Sequence, residues 1–125
     1  MCNQKLPTMK ELMYGAVWLW CIGEGYEEAN AENSFLDAAF SKNGEATGFI
    51  FEFDKTVEEI LSYIEEARDN VQYIYIVIDD DAKYRNLKKI VPEFCGIFCN
   101  SNAFGLGMVT QIMKRATFIS KEGGK

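Results

Sequence analysis

Apolar positions in this chain switch between helical and strand-like spacing, and each switch marks an element. Leu12, Met13, Ala16, Val17, Trp20 and Cys21 recur at helical spacing. Thr8-Met-Lys-Glu11 supplies a capping box ahead of them, and Gly23 and Gly25 stop the run, which predicts a helix over about Met9–Cys21. Residues 1–7 read as a frayed start, and the acidic stretch Tyr26–Asn33 as a loop or short edge strand. Two apolar runs, about Ser34–Phe40 and Thr47–Asp54, then flank Asn43-Gly44, a dipeptide suited to a type I′ hairpin turn.

Thr56-Val-Glu-Glu59 is a second capping box. The stripe Val57, Ile60, Leu61, Ile64, Ala67 behind it predicts a helix over about Val57–Asp69. Gln72–Ile78 is apolar on both faces, as a central strand covered on both sides must be. Strand, helix and strand in that order imply a parallel pair joined by a crossover. Asp79-Asp80-Asp81 caps a further helix, about Ala82–Ile90, ended before Pro92. Phe94–Cys99 reads as a short buried strand, Ser101–Gly105 as loop, Leu106–Met113 as strand in preference to helix, and the chain from Ser120 as a polar tail. The pattern is α/β over a single domain, residues 1–125: an N-terminal helix, a β-hairpin, a helix, a central parallel strand, then another helix and strands.

The hairpin register brings acids together. With Asn43 and Gly44 as the turn, Lys42 faces Glu45 and Asp37 falls opposite Ile50. Asp37 then shares a strand face with Glu52 and Asp54, because side chains alternate along a strand. Carboxylates this close repel unless something positive lies between them, and a divalent metal is the usual solution. The plainer alternative is that these acids point to water from an edge.

Charge narrows the function. A net charge of −6 counts against a phosphate-gripping surface, which needs a basic face. No run nears the roughly 18 apolar residues that span a bilayer. The opening Met-Cys-Asn-Gln-Lys lacks the apolar core of a signal peptide, so the expectation is a cytoplasmic chain with no membrane association. Cys95 and Cys99 have the wrong spacing for a C-x-x-C site and, on a strand, lie about 13 Å apart, too far for a disulfide. They read as buried apolar thiols; a four-cysteine zinc site with Cys2 and Cys21 fits poorly.

Asp37 within Phe-Leu-Asp-Ala-Ala-Phe and Glu52 within Phe-Ile-Phe-Glu-Phe-Asp-Lys, fourteen residues between them, resemble the acids of the PD-(D/E)XK nuclease superfamily. The resemblance covers roughly residues 9–99 and implies a restriction-endonuclease-like core. It also implies Mg²⁺ or Mn²⁺ held by Asp37 and Glu52, with Asp54 as a third ligand or base. The family's lysine, two positions after the second acid, is Asp54 here, and Lys55 follows one step later. On a regular strand Lys55 points to the opposite face unless a bulge re-aims it. The catalytic candidates are therefore Asp37, Glu52, Asp54 and Lys55.

Two functions follow. The first is a degenerate, non-catalytic nuclease fold of phage or mobile-element type, acting by binding a basic nucleic-acid-handling protein as anti-defence proteins and DNA mimics do. The second is a metal-dependent nuclease whose partner is DNA. Glu58, Glu59, Glu65 and Glu66 favour the first if they face the cleft, and otherwise form a solvated helix face. A receiver-like or TOPRIM-like domain built on Val-Ile-Asp-Asp-Asp ranks lower, for want of a companion acid.

Overall fold

A computed structural model of the chain describes residues 8–29, 35–102 and 108–119. The start over 1–7, most of the Ser101–Gly105 loop, the tail from Ser120 and Cys2 lie outside the described residues.

The order is α1 (Met9–Gly23), β1 (Glu27–Glu28), β2 (Ala38–Lys42), β3 (Glu45–Phe51), α2 (Val57–Ala67), β4 (Tyr73–Ile78), α3 (Tyr84–Ile90), β5 (Gly96–Asn102) and β6 (Met108–Lys114). A single 3₁₀ turn, Asp81–Lys83, leads into α3. The six strands form one mixed sheet in sequence order. β1, β2 and β3 are antiparallel neighbours, β3–β4–β5 run parallel, and β6 returns antiparallel.

Both capping boxes form. The Thr8 and Thr56 hydroxyls accept from the N–H groups of Glu11 and Glu59, whose carboxylates accept the threonine N–H groups in return. Asn43 and Gly44 adopt φ of 54° and 81°, the left-handed pair of a type I′ turn, and Lys42 pairs with Glu45.

The strands that flank this turn correct the sequence reading. They run closer to the turn than expected and stop sooner, so Asp37 stands just before β2 and Glu52 just after β3. Asp54 lies in a turn closed by Lys55 N–H donating to the Glu52 carbonyl oxygen at 3.0 Å. Strand alternation therefore does not extend to Asp54 or Lys55.

β4 is the spine. Ile74, Ile76 and Ile78 pack on one face, with Ile60, Ile64 and Ala67 of α2 and Leu87 of α3. Tyr75 and Val77 pack on the other, with Met13, Val17 and Cys21 of α1 and Phe49, Phe51 and Phe98. One side of the sheet is thus covered by α1 and the other by α2 and α3. Gly96 is required where β5 passes β4: a Cβ there would lie 2.4 Å from the Tyr75 ring and 2.5 Å from the Ala116 nitrogen. Cys21, Cys95 and Cys99 are free and buried. Among the described residues no helix is long and apolar enough to cross a membrane.

Candidate functional site

Because β2 opposes β3 and β3 parallels β4, three acids collect at one end of the sheet: Asp37 before β2, Glu52 after β3 and Asp79 after β4. This is the carboxyl end of the parallel strands, where α/β sheets commonly place ligands.

Asp37 is held from three directions. Its Oδ2 accepts from the Phe51 backbone N–H at 2.8 Å and from Lys55 Nζ at 2.9 Å. Its Oδ1 lies 3.1 Å from Lys10 Nζ. Lys55 in turn donates to the Phe51 carbonyl oxygen at 2.8 Å and to Asp54 at 3.2 Å, and packs over the Tyr63 ring. The turn after β3, and not a bulge, carries Lys55 to Asp37, so its expected place on the opposite face is wrong. Burial works to lower the Lys55 pKa, but hydrogen bonding to Asp37 and its charge, with Asp54 behind, outweigh that and raise it.

Glu52 has a different cation. Its Oε1 accepts from Lys83 Nζ at 3.0 Å, and the same ammonium lies 2.8 Å from Asp79 Oδ1. That Asp79 oxygen is buried, and the ion pair with Lys83 is its compensation. The Lys83 pKa is raised, first by the bond to Asp79, against burial, and then by Glu52. Sequence reasoning overlooked Lys83; its signal was the four-residue spacing from Asp79 across the predicted start of the Ala82–Ile90 helix. Asp80 caps the 3₁₀ turn, its Oδ1 accepting from Ala82 N–H at 2.9 Å.

The acids that sequence analysis grouped are thus shared among separate lysines, and among the described residues no lysine bridges Asp37 to Glu52. Nor do the described residues contain a cluster of three or more acidic, cysteine or histidine side chains placed to hold a metal ion. Mg²⁺ and Mn²⁺ favour about six oxygen ligands, whereas both oxygens of Asp37 and one each of Glu52 and Asp54 are already engaged by ammonium or amide donors. As arranged, Asp37, Glu52 and Asp54 do not fit such an ion. Around Asp37, Glu52 and Asp79, the exposed residues Asp54, Glu58, Glu59, Asp80 and Asp81 give the same end of the molecule an acidic rim. Glu65 and Glu66 are also exposed, further along α2.

No family model, curated protein or solved structure matches the chain.

Proposed function

We propose that this chain is a non-catalytic protein of nuclease-like architecture that binds a basic nucleic-acid-handling protein through the acidic end of its sheet. The observation that carries the proposal is the division of Asp37 and Glu52 between separate lysines. Intramolecular cations already do for these carboxylates what a metal would do in an enzyme, and the described residues hold no group of three or more side chains placed to bind one. The element order α1, β1–β3, α2, β4 agrees with the core that the nuclease resemblance implies. The exposed rim of Asp54, Glu58, Glu59, Asp80 and Asp81 offers a basic partner a concentrated field, while it repels nucleic-acid phosphates.

One contact favours the enzyme instead. Lys55 Nζ on Asp37 Oδ2 sets a lysine beside the first acid, where the resemblance expects a group that positions water. Cleavage assays on single- and double-stranded DNA and RNA, in Mg²⁺ and separately in Mn²⁺, distinguish the two readings. The expected result is no turnover, with salt-sensitive binding to an arginine- and lysine-rich peptide that weakens in Asp54→Lys and Asp80→Lys. Turnover abolished by both Asp37→Asn and Glu52→Gln, in folded protein, overturns the proposal and makes the chain a nuclease.

A further inference from the structure

We infer that two copies of this chain join edge to edge through β6, with the outer face of α1 packing across the joint. This inference is independent of the proposed binding function.

The two edges of the sheet are treated differently. β1 is two residues long, and both are exposed glutamates. A short, charged edge of this kind discourages further pairing. β6 has seven residues, Met-Val-Thr-Gln-Ile-Met-Lys, with a single charge at its end. Among the described residues no strand pairs with its outer side. Among the described residues that side's backbone N–H and C=O groups have no ladder partner.

Beside this edge lies a helix that is apolar all round. α1 has no charged residue from Leu12 to Gly23. Met13, Val17 and Cys21 face the core, yet Leu12, Leu19 and Ile22 on other sides are 42%, 67% and 42% exposed. A surface helix normally places polar residues there; apolar residues all round mark a helix covered on more than one side. Gly15 sharpens the point. A glycine inside a helix is disfavoured relative to alanine, yet within one chain nothing lies within 4 Å of where its Cβ would be. Leu12, Gly15, Ala16 and Leu19 line a groove of about 660 Å³ whose far wall includes Thr110 of β6. The helix face and the open strand are therefore one continuous surface.

The occupant follows from charge and from self-complementarity. A chain of net charge −6 repels its own copy over most of its surface, and least across this groove, whose lining carries one acid, Glu11, beside seven uncharged residues. An antiparallel β6–β6 pair about a twofold axis gives each copy the ladder bonds it lacks. The leucines of one α1 supply the bulk and Gly15–Ala16 of the other the space.

Sedimentation equilibrium of the intact chain over a concentration series tests this, read together with hydrogen exchange of the β6 amides. The expected species has twice the mass of one chain and protected β6 amides. Leu19→Glu, at an exposed position, places like charges across the joint. It is expected to weaken association at least about 100-fold and to expose the β6 amides to exchange. Gln111→Lys, on the exposed side of β6, serves as a second variant should the first fail to fold by circular dichroism. A wild-type chain that stays monomeric to near-millimolar concentration overturns the inference. So does a dimer that persists in both folded variants.

Discussion

Asp37 and Lys55 together occupy both backbone groups of Phe51: the carboxylate accepts its N–H at 2.8 Å and the ammonium donates to its C=O at 2.8 Å. The side chains also bond each other at 2.9 Å, so three interactions close one ring at the end of β3. The Lys55 side chain is only 11% exposed and that of Asp37 9%, which separates this pair from the surface contact of Lys10, 55% exposed. Asp37→Ala leaves the Phe51 N–H unpaired and strips a largely buried ammonium of its closest carboxylate, leaving it only the Phe51 carbonyl and Asp54, and is expected to cost roughly 2–4 kcal/mol in urea unfolding. Lys10→Ala is expected to cost under about 1 kcal/mol. A double-mutant cycle with Lys55→Met should return a large coupling energy for Asp37–Lys55 and a small one for Asp37–Lys10.

Lys83 is the shared cation of Glu52 and Asp79, and at 40% exposure its removal costs little, about 1 kcal/mol or less. Its loss leaves two neighbouring carboxylates without a cation. Lys83→Ala is therefore expected to gain thermal stability on addition of Mn²⁺ or Ca²⁺, whereas the wild-type melting temperature should not respond. A wild-type chain that is stabilised as strongly as the variant would show that Lys83 does not stand in for a metal.

Glycine substitutions should divide by what surrounds each Cα. Gly96→Ala drives a methyl against the Tyr75 ring and the Ala116 backbone and is expected to cost about 2–4 kcal/mol. Gly44→Ala meets no atoms but must hold φ of 81°, at about 1–2 kcal/mol. Gly15→Ala meets neither obstacle and should stabilise the single chain by about 0.5–1 kcal/mol. Thermal melts of the three variants give the ranking.

Alkali should unfold this protein early. Burial pushes the Cys21 thiol up to about 12, with the Glu24 charge adding to it, and burial pushes Cys95 to about 12 against the pull of Lys114 and Arg68. Unfolded thiols ionise near 9.0, so above that pH the unfolded chain releases protons that the folded chain retains. Their contribution is complete below pH 9 and drains away toward pH 12, at up to about 1.4 kcal/mol per pH unit for each thiol. The raised pKa values of Lys55 and Lys83 act in the same direction at still higher pH. The urea midpoint should be level to about pH 8.5 and then fall. Cys21→Ala should reduce the slope.

Features that were legible in the chain are those governed by residues within a few positions of one another. The two threonine–glutamate caps, the Asn43-Gly44 turn and the alternating faces of Tyr73–Ile78 all follow local rules, and all are present. The acidic site was legible only as a gathering of Asp37 and Glu52 near one end of a hairpin. Its pairing was not, because the partners are set by how helices and turns dock: Lys83 lies 31 positions from Glu52, and Lys55 lies 18 from Asp37. Period-two reasoning also failed beyond Phe51, where the chain leaves the sheet and a turn decides which way each side chain points.

The two-residue strand β1 also limits how far the sheet can be extended. Growth by strand addition needs a receptive edge on every newcomer, and here the far side ends in Glu27 and Glu28, with Glu28 tied to the Tyr14 hydroxyl. A copy added at β6 through that same β6 presents only this stunted margin to the next. Association therefore terminates at two chains: the protein can keep one long, nearly uncharged strand open without seeding a fibre.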